Sequence, residues 1–265
     1  MNRREALGLI ATGTVCSVMT PSGTSASGAP TAPATPGAPA PAAGPGASAV
    51  PAGAAAVPAG VAPGQHRPKP LPFDPTKLRG VSERLIVSHH DNNYAGAVKN
   101  LNKVEEELAR VTADTPGFVV GGLKERELTF TNSVILHELY FANLGGDGQA
   151  GGRIAKDLGS AFGSLARWEE QFRSTGMSLA GGSGWAILDL NFHSGDLRTY
   201  WSGNHTQALV GGQPLLVMDM YEHAYQMDYG AEAAKYVDAF FKNIHWDEVN
   251  RRLERARAAA AAFAA

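Results

Sequence analysis

The sequence predicts an α+β protein, and three regions carry that prediction. Apolar residues recur at helical spacing over residues 82–111, the stretch "GSGWAILDLNFHSGDLRTYWSG" holds two strand-like runs around a turn, and the chain reads as helical again from about residue 230. This order, in which helices are followed by a small antiparallel sheet and then by further helices, is typical of the α+β class.

The first two helices are predicted to form a hairpin. Ser82 is a favourable N-cap, so the first helix is expected over residues 82–111. The turn residues "DTPG" at 114–117 end it, and a second helix is expected from about Glu125 to Leu144, before "GGDG". Because a short connection favours antiparallel neighbours, residues 66–150 are interpreted as a helical hairpin lobe.

Residues 151–265 are interpreted as a second, α/β lobe. Two amphipathic helices are expected on either side of Gly163, followed by the β-hairpin and by a third strand, "PLLVMDM". The Ala-rich tail after Arg257 is expected to extend the last helix.

The first 65 residues differ in composition from the rest. Residues 21–65 are almost entirely Ala, Pro, Gly, Ser, Thr and Val, which bury too little apolar surface to offset the entropy of ordering, so they are interpreted as a disordered linker. In residues 1–20, Arg3 and Arg4 precede a short apolar segment, which resembles a twin-arginine export signal and is too short for a transmembrane segment. We therefore expect an exported protein, periplasmic or extracellular. The alternative is a disordered end with two solvated arginines.

Composition also excludes several kinds of chemistry. Cys16 is the only cysteine and lies in the predicted signal, so a mature protein would have neither a disulfide nor a thiolate. Lipid attachment to Cys16 stays open. The formal net charge of −2 offers no basic face, and no nucleic acid partner is expected.

The stretch "LLVMDMYEHAY" indicates a metal site. An apolar run ends on Asp219, and His223 follows four residues later, although a buried charge is costly unless it is paired or bound to metal. His137 lies in an apolar helical stretch, and His89 lies one turn after Leu85. A single buried histidine is more often a hydrogen-bonded core residue, but three imidazoles and a carboxylate from separate elements suit iron or manganese.

These stretches carry a resemblance to a known family. "DMYEHAY" resembles the D-x-W-E-H-A-Y signature of the iron/manganese superoxide dismutases, with Tyr221 in place of the usual Trp. Further stretches are similar to the family in the same order: "LPFDPTKL", "SHHDNNYAGAVKNLN", "HELYF", "AFGSLARWEEQF", "GSGWAILD" and "YVDAFFKNIHWDEV". The resemblance covers about residues 70–253.

The resemblance implies a fold, an activity and a ligand set. The helical hairpin lobe would pack on the α/β lobe with its three-stranded antiparallel sheet, and one iron or manganese ion per subunit would lie between them. It would convert superoxide to dioxygen and hydrogen peroxide. The implied ligands are His89, His137, Asp219 and His223, with His90 as the alternative to His89 because tandem histidines allow a one-residue slip.

The resemblance also implies roles for residues around the metal. Trp185, Phe141 and Tyr221 would line the pocket, and His205 would hydrogen-bond the metal's solvent ligand, unless it is a plain loop histidine. Glu222 would bond across a two-fold axis to the partner's last histidine ligand, so a homodimer is expected, with a tetramer left open.

Several residues depart from the family's pattern. The positions of its active-site tyrosine and of a nearby histidine hold Ala97 and Asn93, and Gln226 stands where the partner subunit's tyrosine would meet that histidine. Asn93 and Gln226 would then form an amide pair at the dimer interface. Asn92 and Ala233 replace cationic residues, for which His90, Lys99 and Tyr94 are candidate substitutes. The alternative function is therefore a catalytically weakened, metal-binding structural dimer of the same fold.

Overall fold

The computed structural model describes residues 60–264. The predicted export signal, Cys16 and nearly all of the predicted linker lie outside the described residues. Within residues 60–264, no helix combines the length and the apolar character needed to cross a membrane.

The hairpin contains two long helices and a short one that leads into them. Helix α1 spans Glu83–Ser88, a π-helical turn spans His89–Tyr94, α2 spans Ala95–Leu108 and α3 spans Gly117–Ala142. Ser82 caps α1, because its hydroxyl accepts from the N–H of Leu85 at 3.1 Å. Helix α2 packs along α3. The predicted helical hairpin is thus present.

The boundaries predicted for these helices are wrong in three places. The first helix is not uniform over 82–111: within the π-helical turn the N–H of Ala95 reaches the carbonyl of His90, five residues back, and the helix ends at Leu108. Helix α3 starts at Gly117, well before Glu125, because the carbonyl of Pro116 accepts from the N–H groups of Val119 and Val120. It ends at Ala142 rather than Leu144. Hydrophobic periodicity does not report such local changes in hydrogen bonding.

Two further helices and the sheet follow as predicted. Helices α4, Gly152–Phe162, and α5, Leu165–Met177, are separated at Gly163, whose φ of +86° suits glycine. Strands β1, Trp185–Asn191, β2, Leu197–Ser202, and β3, Gly212–Asp219, form an antiparallel sheet in the order β2-β1-β3. The predicted three-stranded antiparallel sheet is confirmed.

The chain then returns to helices. A short 3-10 turn, Glu222–Ala224, leads to α6, Gln226–Tyr229, to α7, Ala233–Lys242, and to α8, Trp246–Ala264. The Ala-rich tail extends α8, as expected.

The hairpin and the sheet share one core. The described residues, 60–264, belong to a single compact unit, and the predicted division into lobes at residue 150 stays a prediction. Asn143, just after α3, pairs with the backbone of Val217 in β3: its Oδ1 accepts at 3.0 Å and its Nδ2 donates at 3.2 Å. The buried Arg252 of α8 donates to the carbonyls of Leu139 and Leu215, both at 3.0 Å. These bonds fix α3 relative to the end of β3.

Candidate metal centre

Four side chains from separate elements meet where α3 and the end of β3 approach the π-helical turn. His89 begins that turn, His137 lies in α3, Asp219 ends β3 and His223 lies in the 3-10 turn. One potential ligand atom from each residue lies within 4.8 Å of the others. The Nε2 atoms of His89, His223 and His137 are 3.1, 3.3 and 3.7 Å from Asp219 Oδ2.

The atoms that face one another in this group have no hydrogen-bond partner. They are the three Nε2 atoms and Asp219 Oδ2, and all four are buried. Buried polar atoms without partners are costly, so their convergence indicates a binding site for a cation. Two donor atoms that each lie ~2.1 Å from one ion are ~3 Å apart at right angles and ~3.6 Å apart at about 120°, which is close to the range of the three separations from Asp219 Oδ2. The residues therefore fit one metal ion.

Neighbouring groups orient these side chains. His137 Nδ1 donates to the carbonyl of Ser133 at 2.7 Å, which leaves the lone pair of Nε2 directed into the group. Asp219 Oδ1 accepts from the N–H of Tyr221 at 2.8 Å, and its carbonyl accepts from the hydroxyl of Tyr236 at 2.7 Å. Tyr236 was not predicted as part of the site.

Electrostatics give three of the four residues the protonation states that a metal requires. Burial lowers the pKa of His89, and it lowers the pKa of His137 to about 3, so both imidazoles are neutral at neutral pH. Burial alone would raise the pKa of Asp219, but the imidazoles of His223 and His89 outweigh it and lower that pKa. Burial likewise opposes the pull of Asp219 on His223, whose pKa is nevertheless raised. The anionic carboxylate and the neutral imidazoles of His89 and His137 are donors for a divalent ion, and the raised pKa of His223 means that this imidazole releases a proton more readily once a cation takes its place beside Asp219.

Comparison with known proteins identifies the family. Residues 150–252 match the family model described as iron/manganese superoxide dismutases, C-terminal domain. A protein named Superoxide dismutase [Fe] from Cupriavidus metallidurans is 49% identical over 189 residues, which are 71% of this chain and 96% of that protein. The chain belongs to the iron/manganese superoxide dismutase family.

This chain is similar both to relatives named for iron and to relatives named for manganese. Superoxide dismutase [Mn] 1 from Halobacterium salinarum is 37% identical over 195 residues, 71% of this chain and 94% of that protein. Superoxide dismutase [Fe] from Aquifex pyrophilus is 36% identical over 203 residues, 73% of this chain and 94% of that protein. Iron and manganese both occur in the names of these relatives, in keeping with the two metals that the sequence indicated.

Aromatic rings surround the group of four proposed ligands. The buried Trp185 ring lies 5.1 Å from that of His137 at an angle of 87°, and the Phe141 ring lies 5.1 Å from that of His89. Tyr221 stacks on His223, with ring centroids 5.3 Å apart. All three rings thus lie beside the group.

His205 also lies beside the group. Its ring is 6.3 Å from that of His137 and stacks on Tyr221 at 4.8 Å. His205 Nδ1 accepts from the indole N–H of Trp185 at 3.1 Å, and an indole nitrogen only donates. Burial lowers the pKa of His205, so the ring is neutral and carries its proton on Nε2.

The structure separates the two tandem histidines. His90 contacts the carbonyl of Lys69 through Nε2 and the carboxylate of Asp91 through Nδ1, both at 2.7 Å, whereas His89 joins the metal group. The sequence left both histidines as candidate ligands. Adjacent residues on a helix point in different directions, and the sequence alone does not show which of the two faces the core.

The predicted interface residues lie outside the metal group. Glu222 and Gln226 are exposed and Asn93 is half-buried, and within residues 60–264 their side chains form no hydrogen bond or ion pair. Of the residues that depart from the family's pattern, Ala97 and Ala233 are buried, and Asn92 donates to the carbonyl of Ser88 at 3.0 Å. Tyr94, by contrast, is buried close to His137.

Proposed function

We propose that this protein is a superoxide dismutase that uses one iron or manganese ion per subunit. The observation that carries the proposal is the convergence of unpartnered, buried donor atoms from His89, His137, Asp219 and His223 in a member of this family. Superoxide is the substrate.

The bound ion would supply one-electron redox chemistry, by which two superoxide anions and two protons become one dioxygen and one hydrogen peroxide. The protein holds the ion, orients its ligands and shields the centre from water. The carboxylate of Asp219 balances positive charge, and the carbonyl of Ser133 fixes the tautomer of His137. Trp185 and Phe141 exclude water from two sides of the centre.

His205 is proposed to donate a hydrogen bond into the centre. Its Nδ1 is engaged by Trp185, so the proton on Nε2 is available to a small ligand that reaches the ion. The ring stack from His205 through Tyr221 to His223 keeps that donor beside the proposed ligands.

The alternative function, a structural dimer with weakened catalysis, is not favoured. The relative that is 49% identical carries the name Superoxide dismutase [Fe], and the four proposed ligands are together in this chain.

Turnover per bound ion tests the function. The full chain is loaded separately with iron and with manganese, and dismutase activity is divided by metal content. His137→Ala should lose both metal and activity, whereas His193→Ala, which changes an exposed histidine after β1, should keep both. Stoichiometric metal without turnover with either ion would contradict the proposed function.

We also propose that the protein is a homodimer in which Glu222 of one subunit reaches the His223 side of the other. The exposure of Glu222 and Gln226 next to the centre supports this. Sedimentation of the wild type and of Glu222→Ala at equal concentration tests it, because the variant should dissociate more readily. A monomeric wild type would contradict the dimer, and a larger species would indicate a tetramer.

Export by a twin-arginine route is a further proposal. It is supported by Arg3 and Arg4. It is also supported by the alignment with the Cupriavidus metallidurans protein, which covers 96% of that protein but leaves more than a quarter of this chain without a counterpart. Replacing both arginines with lysine should retain the protein in the cytoplasm. Unchanged export of that variant would rule out this route.

A further inference from the structure

Tyr94 packs against the metal centre because of the π-helical turn. A turn that closes over five residues brings His89 and Tyr94 inward together, and Tyr94 is only 1% exposed. Its ring centroid lies 6.2 Å from that of His137 and 5.9 Å from that of Phe141. Tyr94 therefore supports the imidazole of a proposed ligand from the side.

The hydroxyl of Tyr94 joins two distant parts of the chain. It accepts from the backbone N–H of Lys69 at 2.8 Å and donates to Glu138 Oε1 at 3.0 Å. The other oxygen of Glu138 binds the ammonium group of Lys69. Because Glu138 directly follows His137 in α3, this bridge acts on the backbone that carries the proposed ligand.

Lys69 belongs to a segment that we call the N-terminal arm, residues 64–69, and this arm is itself bonded to the helices. His66 exchanges two hydrogen bonds of 2.9 Å with the side chain of Asn102 in α2, through its N–H and its carbonyl. The carbonyl of Lys69 contacts His90 Nε2 at 2.7 Å. The arm is thus fixed at both ends, and the bridge through Tyr94 has a rigid anchor.

We propose that Tyr94 is a positioning residue of the metal centre. Its ring sets the orientation of the His137 imidazole, and its hydroxyl makes that orientation depend on Lys69 and Glu138. The N-terminal arm is therefore part of the wall of the centre. The inference rests on the proposed function in one respect, that His137 binds the ion.

Anion binding to the iron(III) form of the full chain tests this role without turnover. The variants are Tyr94→Phe, which keeps the ring, Glu138→Gln, which removes the carboxylate charge, and the double variant. Tyr229→Phe is the matched control, because the Tyr229 hydroxyl donates to the carbonyl of Gly80, outside the metal group. Iron content, the azide dissociation constant, the visible spectrum and the melting temperature are measured for each.

Both single variants should keep their iron and change the azide dissociation constant by ~10-fold, the lower end of what loss of an outer partner of a ligand costs. The double variant should match the single ones, because the two residues act in one chain of bonds. Tyr229→Phe should bind azide like the wild type.

Wild-type azide affinity in Tyr94→Phe and Glu138→Gln, even with a lower melting temperature, would overturn the proposal and leave Tyr94 as packing only. Fully additive effects in the double variant would also overturn it. A wild type that holds iron, binds azide and fails to turn over contradicts the proposed function alone. A wild type that binds no metal contradicts both.

Discussion

Two carboxylates are buried in the same sheet and differ in their surroundings. Asp219 ends β3 and Asp189 lies in β1, and both are 0% exposed. Three imidazoles approach Asp219 Oδ2, whereas neither oxygen of Asp189 has a hydrogen-bond partner, and its carboxylate lies against Gly212 of β3. A Cβ on Gly212 would lie 2.5 Å from that carboxylate.

Burial raises the pKa of both carboxylates, but the different surroundings give the two net shifts opposite signs. The pKa of Asp219 is lowered because His223 and His89 outweigh burial, so it remains an anion. Burial raises the pKa of Asp189 to about 7, and the nearby N–H of Gln213 offsets the rise only in part, without forming a well-aligned hydrogen bond. A buried acid therefore indicates a metal site only where other donor atoms converge on it.

The largest expected effect comes from Asp219→Asn, which keeps the size of the side chain and removes its charge. We expect loss of the ion and a fall in activity of at least ~100-fold, beyond the usual cost of losing an outer partner of a ligand. Metal content and activity per chain measure it. Asp189→Asn is the matched control and should retain both; metal loss in that control would break the comparison.

Removing the ion should destabilise the wild type. A ligand at 100 times its dissociation constant stabilises the folded state by ~2.7 kcal/mol, or roughly 5–10 °C for a domain of this size. Thermal unfolding with and without added metal measures this difference. Asp219→Asn should show no such rise and Asp189→Asn the full rise, and equal rises in both variants would refute the assignment.

Asp189→Asn should stabilise the protein at high pH only. Because the folded-state pKa of about 7 exceeds the ordinary 3.8, the folded protein binds the extra proton between these values, and its stability falls as pH rises through them. We expect a gain of about 2 kcal/mol, roughly 4–8 °C, at pH 8 and none near pH 4. Melting curves of wild type and variant across pH 4–8 decide it, and a constant difference would show that Asp189 does not titrate.

The smallest expected effect concerns Trp185, which pairs with Asp219 across the sheet. Trp185→Phe removes the N–H that fixes His205, a bond worth ~1 kcal/mol, so activity per ion should fall ~5-fold while metal content stays. Trp201→Phe, which changes a half-exposed tryptophan of β2, is the control and should have little effect. Unchanged activity in Trp185→Phe would remove the role proposed for His205.

Much of the fold could be predicted from residue patterns. The β-hairpin, the third strand and the break at Gly163 were correct because turn residues and alternation act locally. The π-helical turn and the early start of α3 at Gly117 were missed, because they depend on which carbonyl each N–H reaches. The family alignment of Asn93 and Ala97 also did not predict the orientation of Tyr94, which is the last residue of the π-helical turn.

The sequence by itself determined the kinds of donor available, an acid at the end of a buried strand and histidines on three other elements, because residue type and local pattern set both. Tertiary structure decided which of His89 and His90 turns inward, which proton His205 carries, and why Asp219 is charged while Asp189 is not. Those outcomes depend on atoms brought together from distant parts of the chain. Distance and burial then set the electrostatic energy of each group.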